Sequence, residues 1–328
     1  MSELHKFLFD GLPVRGVLVR LTDAWTEILR RRASNSSAGA YASEVAALLG
    51  EMTAAAALMQ GTIKFDGSLV LQIFGQGPVK LAVVEVQPDF ALRATATVQQ
   101  QVPDGASFSQ MVNLHNQGRC AITLDPKTKF PGQQAYQGVV PLHDDRNQPI
   151  EKLSDVLGHY MLQSEQLDTT LVLAANDRLA AGLLIQRLPL AGSGNLAGSL
   201  VSRENEDEIG RNESYNRIAT LAASLQQQEL LTLDVDTLLR RLFWEENLTR
   251  FAPLAGDSAP RFQCNCSRER VGKMILGLGQ QEAEEILGER GQIEVGCEFC
   301  GLQYHFDPVD AAQLFVNAAI RGATGQSH

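Results

Sequence analysis

Cys297-Glu298-Phe299-Cys300-Gly301, preceded at a distance by Cys264-Asn265-Cys266, decides how this chain is organised. Four thiols in two close pairs are what a tetrahedral Zn²⁺ site requires. The Cys-x-x-Cys pair with Gly301 behind it reads as a tight turn that aims both sulfurs at one point, with glycine supplying the positive φ. In an extended segment residues i and i+2 share a face, so Cys264 and Cys266 can reach the same ion. Ile293-Glu294-Val295 leads into the turn and Gln303-Tyr304-His305-Phe306 leaves it, which predicts a β-hairpin. A thioredoxin-like dithiol would instead open a helix within a βαβ unit.

The cysteines also set the energetics. A segment of about 70 residues seldom holds itself together without a staple, and structural zinc supplies roughly 10–16 kcal/mol in finger peptides. Oxidising the thiolates would remove the staple, so the same four residues can be clasp and sensor. Spacing alone leaves open a constitutive zinc-ribbon adaptor, and a four-cysteine site also accepts iron.

Working outward, Pro253, Gly256 and Pro260 break the chain and set off residues 251–328 as a small C-terminal zinc-binding α+β domain. Upstream, Tyr215–Gln228 and Asp234–Glu246 carry helical periodicity, with Asp234 as a cap. Ile218, Leu221 and Leu225, then Leu238, Leu239, Leu242 and Phe243, form apolar faces that need cover in the folded state. Ala191–Gly210 is rich in Gly, Ser, Asn and acidic residues, so 191–250 reads as a flexible loop and helical linker. Residues 1–190 read as an N-terminal α/β core domain, giving an α+β chain overall. Strands are expected over Phe7–Leu21, and then a helix with Asp23 as its cap. Ser43–Met59 is so crowded with apolar residues that its helix should be largely buried. A meander follows over Ile63–Phe65, Leu69–Phe74, Val79–Val86 and Leu92–Val98, then a helix at Ile150–Gln163 and strands at Thr169–Ala174 and Ala180–Leu188.

Charge narrows the function classes. The net charge of −10 opposes a nucleic-acid surface, and the segment from Arg261 onward holds six basic against nine acidic side chains. No stretch approaches the roughly 20 apolar residues of a membrane helix, and the opening residues are too short and too interrupted, at Asp10 and Pro13, for a signal peptide. The expectation is a cytoplasmic protein whose thiols are kept reduced. Cys120, within Arg119-Cys120-Ala121-Ile122, reads as a buried small hydrophobe. His305 lies near the turn, but four cysteines already fill a tetrahedral site. Gly75-Gln76-Gly77-Pro78 lacks the Gly-Lys-Ser/Thr ending of a phosphate loop. No catalytic arrangement is visible, so an enzyme is not expected.

Cys264-Asn265-Cys266-Ser267-Arg268-Glu269-Arg270 with Cys297-Glu298-Phe299-Cys300-Gly301 resembles the redox-regulated 33 kDa chaperonin (heat-shock protein 33) family of bacteria. Further segments resemble the family in the same order: Val14-Arg15-Gly16, Lys64-Phe65-Asp66-Gly67, Tyr136-Gln137-Gly138-Val139-Val140, Ser164-Glu165-Gln166-Leu167 and Arg241-Leu242-Phe243-Trp244-Glu245-Glu246. The loop from Ala191 to Asn212 departs from the family pattern in being longer. The resemblance implies an ATP-independent holdase that binds one Zn²⁺ per chain through Cys264, Cys266, Cys297 and Cys300 and is inactive when reduced. It implies that oxidation pairs Cys297 with Cys300 and Cys264 with Cys266, with zinc release and linker unfolding. It also implies a homodimer on activation, unfolding client proteins bound by residues 1–190, and delivery to ATP-dependent foldase chaperones.

Overall fold

The computed structural model describes residues 1–35, 39–128, 134–189 and 213–324. The loop expected at Ala191–Gly210 therefore lies outside the described residues. Strands β1 (Glu3–Phe9) and β2 (Val14–Leu21) lead into helix α1 (Asp23–Ala33) and the long α2 (Ser43–Thr62). Next come β3 (Gly67–Phe74), β4 (Val79–Val86), β5 (Ala91–Val98), α3 (Phe108–Val112), β6 (Arg119–Pro126) and β7 (Tyr136–Pro141). Helix α4 (Leu153–Glu165) precedes β8 (Thr169–Ala175) and β9 (Ala180–Arg187). Three helices follow: α5 (Glu213–Ala223), α6 (Gln227–Thr232) and α7 (Val235–Phe243). The chain then returns through the short strands β10 (Leu248–Arg250) and β11 (Arg261–Phe262). The last segment is α8 (Arg268–Leu278), α9 (Gln280–Arg290), the hairpin β12 (Ile293–Gly296) and β13 (Gln303–Phe306), and α10 (Pro308–Thr324).

Two sheets, in the orders β10-β1-β2-β9-β8 and β11-β5-β4-β3-β6-β7, sandwich α2. The helix is apolar all round, and Val45, Leu49, Met52 and Leu58 are buried in one cluster with residues of both sheets. Its run Ala54–Ala57 keeps the layers close, and at Gly50 an added Cβ would lie 2.4 Å from the Ala175 Cβ. Strand β2 is buried on both faces and so lacks polar alternation. Val17, Val19 and Leu21 join the α2 cluster, while Val14 and Leu18 join a second one.

That second cluster is where the apolar faces read as a linker go. Ile218, Leu238, Leu242 and Phe243 cover Phe7, Phe9, Leu183 and Ile185 on the outer face of the five-stranded sheet. Phe243 meets Phe9 edge-on at 5.0 Å between centroids, and Arg20 donates to the carbonyls of Leu230 (2.8 Å) and Leu233 (2.7 Å) at the end of α6. Burying each such side chain is worth about 1.5–3 kcal/mol.

Three local expectations change. Asp23 is the first residue of α1, not its cap; the cap position is Thr22, which makes no side-chain capping bond. Ile63–Phe65 forms no strand and is the exit from α2, which runs on to Thr62. The periodic stretch 215–228 divides into α5 and α6, because the chain turns at Ser224 and Leu225. Asp234 does cap α7, accepting from the Thr237 N–H at 2.9 Å. Among the described residues no helix is long and apolar enough to cross a membrane.

Glu51 on α2 gives the body a pH dependence. Burial pushes its carboxyl up to about 7, with Lys152 opposing. Between the ordinary value of 4.5 and about 7 the folded state holds a proton that the unfolded state has lost. Stability therefore falls as pH rises through that window and stays lower above it, by at most about 3 kcal/mol. Glu51→Gln should raise the thermal midpoint clearly at pH 8 and little at pH 4.5. Equal shifts at both pH values would show that the carboxylate is not the cause.

Candidate metal centre

Strand β11 runs parallel to β5, with Arg261 opposite Ala91 and Phe262 opposite Leu92. This pairing delivers Cys264 and Cys266, two and four residues beyond Phe262, to the edge of the six-stranded sheet. Ser267 then caps α8, accepting from the Arg270 N–H at 3.2 Å, and turns the chain away. From the other side, β12 and β13 pair in register and hold the Cys297–Cys300 turn between them. The Gly301 N–H donates to the Cys297 carbonyl at 2.8 Å and the Cys297 N–H to the Leu302 carbonyl at 2.9 Å. Gly301 has φ +73°, the left-handed backbone that the Cys-x-x-Cys-Gly text predicts.

The two segments bring all four sulfurs within 4.8 Å of one another. Cys264 and Cys297 Sγ are 3.6 Å apart, and Cys266 and Cys300 Sγ 3.3 Å. Tetrahedral ligation at about 2.3 Å per bond would separate sulfurs by about 3.8 Å, so the donor set and its spacing fit Zn²⁺. Three of the four are half-buried and Cys300 is buried.

The hydrogen bond between Cys264 and Cys297 lowers the pKa of the Cys264 thiol and raises that of Cys297. Burial raises Cys300 to about 11. A divalent cation would bind all four sulfurs as thiolates, displacing their protons.

Surrounding groups fix the sulfurs. The Tyr304 hydroxyl donates to Cys266 Sγ at 3.2 Å, and that bond pushes the phenol up to about 12. Arg93 on β5 has Nη1 3.9 Å from Cys264 Sγ, its guanidinium carbon 4.1 Å from the Phe299 ring centroid, and its Nε 2.8 Å from Glu85 Oε2. Thr95, two residues on, donates to the Glu298 carbonyl at 2.9 Å. Tyr304 could have been suspected from the hairpin's alternation. Arg93, Glu85 and Thr95 carry no local signal, because only the β11–β5 pairing brings them to the cysteines.

His305 stays out of the cluster; its ring faces Glu294 at 3.4 Å and is about half exposed. Cys120 is fully buried within the α2 cluster, and burial pushes its thiol up to about 12. A thiol-alkylating reagent applied to folded, chelator-treated protein should therefore modify four cysteines and spare Cys120 until denaturant is added. Mass spectrometry of the peptides reads this directly, and early labelling of Cys120 would contradict its burial.

Comparison with known proteins gives one consistent result. The family model described as Hsp33 protein matches residues 2–307. The "33 kDa chaperonin" of Chromobacterium violaceum is 41% identical over 327 residues, covering 100% of this chain and 98% of that protein. The protein of the same name from Methylobacillus flagellatus is 37% identical over 328 residues, covering 100% and 99%. Among solved structures, the 33 kDa chaperonin (heat shock protein 33 homolog) of Thermotoga maritima superposes with a TM-score of 0.70 over 97% of this chain and 99% of its own, at 20% identity. That likeness shows the shared fold.

Proposed function

Because the chain belongs to the Hsp33 protein family, we propose that it is a redox-regulated, ATP-independent chaperone whose switch is the four-cysteine cluster. The observation that carries this reading is the convergence of Cys264, Cys266, Cys297 and Cys300 from two segments more than 30 residues apart. In the reduced state the four thiolates hold one Zn²⁺, which supplies folding free energy to the C-terminal segment. A hydroperoxide takes two electrons from each pair: two thiolates, one hydrogen peroxide and two protons give one disulfide and two waters. Following the resemblance, the pairs are Cys264 with Cys266 and Cys297 with Cys300. Disulfide sulfur is a poor ligand, so the segment loses its staple.

The division into a core domain (1–190), a loop and helical linker (191–250) and a switch domain (251–328) belongs to this proposal. So do homodimer formation on activation, transfer of clients to ATP-dependent foldases and a cytoplasmic location. Unfolding client proteins are the partners, bound on apolar surface that the reduced state covers.

The test follows zinc content and suppression of client aggregation on one sample as peroxide is added at elevated temperature. The proposal expects about one zinc released per chain while suppression rises, with both reversed by thiol reductant and zinc. Zinc release without suppression would leave the cysteines as a purely structural clasp.

A further inference from the structure

The six-stranded sheet holds the cysteine turn through one strand. Arg93 and Thr95 share a face of β5, while Leu92, Ala94 and Ala96 point into the α2 core. Thr95 binds the turn's backbone at Glu298. Arg93 has three partners at once: the Glu85 carboxylate directly opposite on β4, the Phe299 face, and Cys264 Sγ. Its side chain is 18% exposed and that of Glu85 15%, so these charges are only weakly screened by water. Arginine suits the place because its planar group can bind a carboxylate edge-on while stacking on an aromatic ring.

We propose that Arg93 is the positioning residue through which the sheet reads the redox state of the cysteines. While Cys264 is a thiolate, the guanidinium is held between sulfur, carboxylate and ring, and the turn stays docked on β5. Four thiolates on one Zn²⁺ carry a net charge of −2; oxidation of both pairs with release of the Zn²⁺ brings the cluster beside Arg93 to neutral, while the charge on Glu85 remains. The guanidinium then loses its sulfur partner and, as the Cys297–Cys300 backbone rearranges, its ring partner too. The turn leaves the sheet, and β11, held to β5 over only two residues, leaves with it. In the reduced state the same contact stabilises the anionic cluster, as partners around metal ligands generally do.

This rests on the redox reading above, and its test separates the two. Full-length, reduced, zinc-loaded protein is compared with Arg93→Gln, Arg93→Lys and Thr95→Val, measuring zinc affinity by chelator competition and amide exchange across residues 91–96 and 297–303. Arg93→Gln should weaken zinc binding about 10–100-fold and raise exchange in both segments toward the level of oxidised wild type. Arg93→Lys should recover most of the affinity but not the protection, since it keeps charge without the stacking plane. Thr95→Val should raise exchange at 297–303 and weaken zinc binding less than Arg93→Gln does, which keeps the docking claim testable if Arg93→Gln folds poorly. Wild-type affinity and exchange in a folded Arg93→Gln would overturn the proposal. So would equal loss of affinity in Gln and Lys variants, or wild-type protein whose protection at 91–96 and 297–303 is the same reduced and oxidised. None of these readouts uses a client, so failed aggregation suppression in oxidised wild type would count against the function alone.

Discussion

Cys300→Ser is expected to eliminate stoichiometric zinc and melt the C-terminal segment in reducing buffer, while the two-sheet body stays folded. Among the described residues the segment's own cluster contains six buried members: Ile275, Ala283, Ile293, Tyr304, Phe306 and Ala311. Two of these are alanines, and so small a core cannot offset the entropy of ordering roughly 60 residues. Structural zinc contributes on the order of 10–16 kcal/mol in finger peptides, and a serine hydroxyl is a far weaker ligand than a thiolate. Loss of one sulfur should therefore cost the whole segment. Elemental analysis would read metal content, and amide exchange over α8, α9 and the hairpin would read local folding. Cys120→Ser is the control, since Cys120 lies in a different cluster and should leave zinc content unchanged. If Cys300→Ser still binds one zinc per chain with α8 and α9 protected, the cluster is not what holds the segment together.

How much of this was legible in the sequence depends on how local each determinant is. The four-cysteine cluster was, because its members come as i, i+2 and i, i+3 pairs and the turn needs a positive φ at Gly301. The buried helix α2 was too, since no polar stripe interrupts it, and the Asp234 cap followed from its side-chain chemistry. Strands β10 and β11 were not. They are three and two residues long, and each exists only because another strand offers an unpaired edge, β1 in one case and β5 in the other. The role of Arg93 was hidden for the same reason: its partners are eight residues away across a hairpin and 171 away through β11. The helices over 213–243 were visible as amphipathic, but which surface they cover is a tertiary fact, fixed by Phe7, Phe9 and Ile185. Asp23 misled because acidic residues favour both the cap and the first turn, and here the strand entering from Leu21 places Thr22 at the boundary.

Phe243→Ala should uncover that sheet face without any oxidation. Phe243 is 2% exposed and sits against Phe9 at 5.0 Å and Phe7 at 6.3 Å between ring centroids. Truncating such a side chain costs about 3–5 kcal/mol. Helix α7 has only nine residues, too few to persist without its packing, so the loss should appear as detachment of α5–α7 from the sheet. The expected result for reduced, zinc-loaded protein is raised hydrophobic-dye fluorescence, faster amide exchange over 213–243 and an unchanged zinc content. Trp244→Ala, one residue on but 74% exposed, should change stability by no more than about 0.5 kcal/mol. The pair separates burial from mere aromatic content. If Phe243→Ala also suppresses client aggregation while its cysteines remain reduced, the covered face is the surface that clients meet, and zinc loss is one route to exposing it. If the dye signal rises and suppression does not, clients are held elsewhere, and the cysteine switch must act on a different surface.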